Sequence, residues 1–230
     1  MDFSGIVPAL PSLWEGMLMT LKLMVLGVLG GVALGTVLAL MRLSHSKLLS
    51  NIAGFYVNYF RSIPLLLVIT WFYFAVPFIL RWITGEDTPV GAFTSCLVAF
   101  MMFEAAYYCE IVRAGIQGLD RGQFEAARSL GLGYLASMRL VILPQALRNM
   151  LPSLVNQFVS TIKETSLGYI IGLAEVSFIA SQINTQVFTL PTQVYLILGL
   201  TYFILCFGLS RFAFWLERRQ AQRGNPKEAR

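Results

Sequence analysis

The sequence predicts an all-α integral membrane protein with about five transmembrane helices, and three observations predict it. Of 230 residues, 57% are hydrophobic and only 13% charged, whereas soluble domains are about half apolar and about a quarter charged. The apolar residues form continuous runs, not the every-second-residue alternation of a membrane barrel strand. The basic residues gather at the ends of those runs, as the topology of a multi-spanning chain requires. Helices follow because hydrocarbon offers backbone N–H and C=O groups no partners, so each segment must satisfy its own.

The same facts exclude several functions. A net charge of +5 that sits at span ends belongs to topology, so nucleic acid is set aside as a partner. Cys96, Cys109 and Cys206 lie in or beside apolar runs and read as small packing residues. His45 is the only histidine, so imidazoles build no metal site. The residue before each lysine is Leu21, Ser46, Ile162 or Pro226, never the glycine of a phosphate-cradling loop. No nucleophile elbow, HExxH or CxxC occurs either. The chain is expected to be no enzyme, and energy for uphill transport must enter through a partner or an ion gradient.

Taken in order, Met1 to Gly16 lacks the positive start and small-residue cleavage site of a secretory signal, so the first apolar segment is expected to stay. That segment, residues 17–41, exceeds the ~20 residues that cross a bilayer. Lys22 near its outer end can snorkel. Gly27, Gly31 and Gly35 recur every fourth residue, which makes a smooth stripe for close approach of another helix. Arg42, His45 and Lys47 follow at once, placing the amino terminus outside and this turn inside.

The second span is expected at 63–80. Pro64 restricts Ile63, so the helix either kinks or starts there. Arg61 snorkels to headgroups or pairs with an acid of a neighbouring helix. Arg81 to Val90 reads as an external turn, and the third span, 91–111, contains Glu104, a costly group at that depth. Glu110 has Arg113 three residues on and reads as a structural pair. Residues 113–146 form the main internal loop, since the stretch from Arg113 to Arg148 inclusive holds five arginines and no apolar run long enough to span. Asp120 and Gln123 have capping-box spacing, so a short helix carrying Ala126, Ala127 and Leu130 begins near Arg121. Gly131 fits its left-handed end. A second helical piece runs to Leu143, where Pro144 breaks or bends it.

The fourth span, 147–172, places Ser153, Asn156, Ser160 and Lys163 at i, i+3, i+7 and i+10 on one side of a helix. Such a stripe faces protein or a water-filled path. Leu173 to Thr192 reads as an external short helix and loop. The last span is 194–214, and a basic, loosely ordered tail at 217–230 lies inside. The whole is one transmembrane domain, residues 1–216, with that tail appended.

The internal loop "EAARSLGLGYLASMRLVILP", Glu125 to Pro144, resembles the EAA loop of ABC-importer permeases. Glu125, Ala126, Ala127, Gly131, Leu143 and Pro144 match its pattern, and Val141 stands where isoleucine is usual. "FRSIP" at Phe60 to Pro64, "AAYYCEIVRAGI" at Ala105 to Ile116 and "KETSL" at Lys163 to Leu167 are similar to the polar amino acid permeases. Glu104 within "FEAAYY" is most similar to the glutamate/aspartate members.

The resemblance implies a bacterial inner-membrane subunit of type I importer fold, amino end periplasmic and carboxyl end cytoplasmic. It also implies a second permease, like or identical, two ATP-binding subunits below and a periplasmic solute-binding protein above. No cofactor is expected on this chain; ATP and Mg belong to the partner ATPase. The loop, with Leu130 among its docking residues, would lie in a cleft of that ATPase. For an amino acid cargo, Lys163 and Glu104 can supply a cation and an anion, with Tyr107, Asn156, Ser160 and Thr165 as hydrogen-bonding wall. In the competing reading, Lys163 and Glu104 neutralise each other, or Lys163 pairs with Glu164 or another subunit. The alternative function is a secondary transporter or channel driven by an ion gradient, which predicts titrating intramembrane acids and inverted repeats. No convincing internal repeat is present.

Overall fold

The computed structural model describes residues 7–87, 89–186 and 191–224, and within them every regular element is helical. Helix α1, Leu10–Leu43, enters through a 3-10 turn at Val7–Ala9, with Pro11 in its first turn, where a missing N–H costs nothing. Its 34 residues make a rod about 51 Å long, longer than the roughly 30 Å hydrocarbon core of a bilayer. Buried Thr20, Leu23, Gly27, Gly31, Gly35 and Leu38 trace one face, and that face meets helix α4, Ala92–Gln117.

Between them lie α2, Lys47–Ser62, and α3, Leu65–Thr84. Ile63 and Pro64 are both extended, so proline here starts a helix instead of kinking one. Helix α2 is an element that sequence reasoning missed. It is amphipathic, burying Ala53, Val57 and Phe60 while leaving Leu48, Ile52 and Phe55 exposed. The i, i+4, i+7 spacing of the buried trio was the available signal. Tyr56 ties α2 to α4 by donating to the Met102 carbonyl at 2.8 Å. Gly85 closes α3 in the left-handed region at φ 76°.

The inner loop folds as α5, Arg121–Ser129, and α6, Tyr134–Ser137. A π-helical turn at Met138–Ile142 then leads into α7, Leu143–Glu164. Pro144 does not break this run. It lies in the first turn of α7, and the widened π turn before it accommodates a ring that would clash with the carbonyl four residues back in a regular α-helix.

Helix α7 passes into a 3-10 helix at Thr165–Ile171, Gly172 takes φ 76°, and α8 follows at Val176–Gln186. The two parts meet at a bend of 48°, the geometry of a broken span or a re-entrant loop. The short helix expected within 173–192 is present as α8. Val176, Ala180 and Ile183 of α8 are buried, and α8 packs on α1 and α9. Residues 187–190 lie outside the described residues. Helix α9, Pro191–Gly224, carries the last apolar window, Thr192–Trp215, and continues helically well into the basic tail that was expected to be loose. Residues 225–230 of that tail lie outside the described residues. Among the described residues four helices are each long and apolar enough to cross a membrane, and the number is five if the bent pair is one span.

Candidate functional site

Three zones carry the chemistry, and α4 and α7 connect them. The innermost is the loop. Asp120 caps α5 by accepting from the Gly122 N–H at 2.9 Å. Its far end closes as a Schellman turn, with Leu132 N–H donating to Ala127 O at 3.1 Å and Gly131 N–H to Arg128 O at 2.9 Å. Gly131 has φ 77°, the left-handed conformation that this closure needs. Gln123 makes no reciprocal capping bond; its amide oxygen accepts from Gln145 of α7 at 3.0 Å, which locks α5 to the base of the next span.

Within this loop Ala127 is buried, whereas Glu125, Ala126, Gly131, Leu143 and Pro144 are exposed. Leu130 is 81% and Leu135 82% exposed, and Tyr134 and Leu140 are open as well. This apolar surface lies beyond the apolar spans and stays uncovered among the described residues.

The second zone is a charged collar towards the C-terminal ends of α1 and α4. Glu110 accepts from Arg113 Nε at 3.1 Å and Nη2 at 2.6 Å, and from Arg42 of α1. The Arg113 partner matches its three-residue spacing; Arg42 could not be seen in sequence, being 68 positions away. Arg61 pairs with no acid among the described residues and lies 5.4 Å from the centre of the Tyr107 ring.

The third zone lies in the span. Glu104 is fully buried where the glycine stripe of α1 lets α4 come close: a Cβ on Gly31 would lie 2.7 Å from the Glu104 Cβ. A neighbouring Cβ on Gly35 would lie 2.8 Å from Ala105 O, and one on Gly27 3.3 Å from the Phe100 Cβ. The Glu104 carboxylate accepts from Thr161 Oγ1 at 2.8 Å and Gln157 Nε2 at 3.0 Å. These partners on α7 were missed, because the polar stripe read from sequence, Ser153, Asn156, Ser160 and Lys163, lies about a quarter-turn round the same helix.

That stripe is exposed at Ser153, Asn156 and Lys163 and half-buried at Ser160. Lys163 forms no close ion pair with Glu104 or Glu164 among the described residues. Thr165 is fully buried and donates to Ile162 O at 2.6 Å, while Tyr107 is half-buried. Glu104 and Thr165 thus stand behind the exposed face that Lys163, Ser160 and Asn156 share. An apolar trough of 550 Å³ between α2 and α3, lined by Tyr59, Ile63, Trp71 and Val76 among others, offers a zwitterionic solute no counter-charge.

The comparisons with known proteins agree with one another. Residues 31–222 match the family model for the binding-protein-dependent transport system inner membrane component. The glutamate/aspartate import permease protein GltK of Escherichia coli O6:H1 is 45% identical over 223 residues, 96% of this chain and 98% of that protein. The arginine transport system permease protein ArtQ of Bacillus subtilis is 35% identical over 219 residues, covering 95% and 97%. A crystal structure of an amino acid ABC transporter with histidines superposes with a TM-score of 0.85 at 36% identity, covering 95% of this chain and 99% of the other. With most of its length matched by the family model and nearly all of it by these relatives, the chain belongs to the family of binding-protein-dependent transport system inner membrane components.

Proposed function

We propose that this chain forms the translocation pathway of an ATP-driven importer of polar L-amino acids, glutamate and aspartate foremost, and that its inner loop takes up the stroke of a separate ATPase. A permease of this family has no catalytic activity of its own and works with an ATPase and a solute-binding protein. The finer assembly is two ATP-binding subunits on the cytoplasmic side, a second copy of the chain or a homologous permease beside it, and a periplasmic binding protein above.

The observation that carries this reading is the exposed apolar rim of the loop, Leu130 at the end of the capped helix α5 and Tyr134 and Leu135 on α6, in a chain with no phosphate-binding loop. A capped helix transmits displacement, and here the transmission line is continuous. The Gln123–Gln145 bond joins α5 to α7, and α7 meets α4 at Glu104. Closure of the ATPase subunits would draw the loops together and tilt α7 against α4, exchanging inward- and outward-facing states.

In this reading Lys163, about 30 Å of helix above Leu143, presents its ammonium to the cargo carboxylates. Asn156 and Ser160 supply hydrogen bonds beside it, with Tyr107 at the edge. Glu104 and Thr165 form the buried wall that orients this face. The glutamate/aspartate assignment is supported by the name of the 45% identical relative.

Reconstituting the chain with the ATPase and binding protein of its operon, then competing labelled glutamate uptake with each amino acid, tests the proposal. Uptake is expected to require ATP and all three components and to be competed best by glutamate and aspartate. Gradient-driven uptake by the chain alone in liposomes would overturn it.

A further inference from the structure

The break between the 3-10 helix at Thr165–Ile171 and α8 is held by a carboxylate that the transport reading leaves unused. Glu175 is fully buried. Its Oε1 accepts from Phe178 N–H at 2.8 Å and its Oε2 from Ser177 N–H at 2.9 Å, so it caps α8. Capping alone does not need so long a side chain, since aspartate, asparagine or serine serves as well.

Glu175 also reaches two other helices. Tyr202 of α9 donates to its Oε2 at 3.3 Å, and Thr20 Oγ1 of α1 lies 3.5 Å from the same atom. The contacts around it close a small network. Thr20 accepts from Val176 N–H at 3.3 Å and donates to Gly16 O at 3.1 Å, and Ser177 Oγ lies 3.1 Å from Tyr202 Oη. Gly16 permits the approach, since a Cβ there would lie 3.0 Å from both Val176 Cα and Ile179 Cγ1. Among the described residues no lysine or arginine forms an ion pair with Glu175. The carboxylate is held by amides and hydroxyls from three helices.

We propose that Glu175 is a positioning residue that pins α8 to α1 and α9, and so fixes the bend of the span that carries Lys163. The pin lies on the outer side, since Gly16 and Thr20 belong to the outer end of α1. The inner loop pulls on the base of α7 during the cycle. With the outer end of the same span anchored, that pull becomes a tilt of the polar face; with the anchor lost, α8 trails and ATP is spent without transport. The inference rests on the transport reading, and wild-type uptake in the same assay separates the failure of one from the failure of the other.

The test compares Glu175→Asp, Glu175→Gln and Tyr202→Phe in the full complex, reading complex yield and amino acid transported per ATP hydrolysed. Aspartate keeps the cap but is one methylene too short for Tyr202 and Thr20; Tyr202→Phe removes a single hydroxyl and leaves Glu175 in place. The expected result is near-normal yield for Glu175→Asp and Tyr202→Phe with transport per ATP down about tenfold and about threefold, and with half-saturation unchanged. Glu175→Gln is expected to lose at least as much as Glu175→Asp. Full transport per ATP in Glu175→Asp would reduce Glu175 to a cap and overturn the proposal. So would a Tyr202→Phe complex that assembles and transports as wild type, or one whose only defect is yield.

Discussion

Two regions of this molecule are built from small residues, and they use them in opposite ways. Along the seam between α1 and α4, glycine is consumed internally. A Cβ on Gly35 would lie 2.8 Å from Ala105 O and 3.0 Å from Cys109 N, backbone atoms that cannot swing aside. In the inner loop, nothing lies within 4 Å of a Cβ on Gly131 or Gly133, and Ala126 is exposed beside Leu130 and Leu135. Smallness in the seam has already found its partner within the chain. In the loop it is still unspent, and that difference separates a residue that holds the bundle together from one that waits for another subunit.

The largest effect is expected where that distinction is sharpest. Gly35→Val forces a branched side chain into backbone at the seam. Overpacking of this kind costs about 1–3 kcal/mol, occasionally more, and here α1 and α4 must separate along their length. Monodisperse permease recovered from membranes is expected to fall at least tenfold. Gly131→Val meets no neighbour, but it places a β-branched residue at φ 77°, a strain of about 1–2 kcal/mol. It is expected to leave permease yield unchanged while uptake falls about tenfold and ATP hydrolysis continues. If Gly131→Val lowered yield as much as Gly35→Val, the distinction between seam and docking surface would collapse.

These two regions were also the most legible in sequence, for a physical reason. The recurrence of Gly27, Gly31 and Gly35, the helix start at Asp120 and the helix end at Gly131 follow local rules of helix geometry, needing no knowledge of what lies opposite. The face of α7 that meets α4 was not legible in that way. Gln157 and Thr161 are as regularly spaced as Asn156, Ser160 and Lys163, and only the rotation of α7 in the bundle decides which set finds Glu104. The role of Glu175 was not legible because its partners, Thr20 and Tyr202, are 155 and 27 positions away. Helix α2 was overlooked because its apolar trio is interleaved with exposed aromatic residues, which blurs the amphipathic pattern.

The next prediction uses the two faces of α7 to sharpen the comparison. Lys163 is exposed and forms no ion pair among the described residues, so Lys163→Met breaks no close contact of the fold. Yield is expected to be unchanged and maximal uptake to fall several-fold. Glutamate and aspartate are expected to suffer more than glutamine, because their second carboxylate loses a counter-charge. Equal kinetics for all three amino acids would take Lys163 out of the path and leave it as a surface charge near the outer boundary.

The smallest effect is expected from Val141→Ile, which restores the residue usual in the loop's pattern and probes the border between the two regions. Val141 is half-buried in the π turn that joins the open loop to the packed base of α7. The change keeps the β-branch and adds one methylene, worth about 0.8 kcal/mol if fully buried, and less at a half-buried position. If the π turn belongs with the loop, the methylene has room, and yield and uptake are expected to stay within twofold of the parent. If the turn is packed like the α1–α4 seam, the added carbon acts as an intruder and yield falls. The same substitution therefore reports how far the rigid part of α7 extends towards the ATPase, and whether the stroke enters the bundle before or after the π turn.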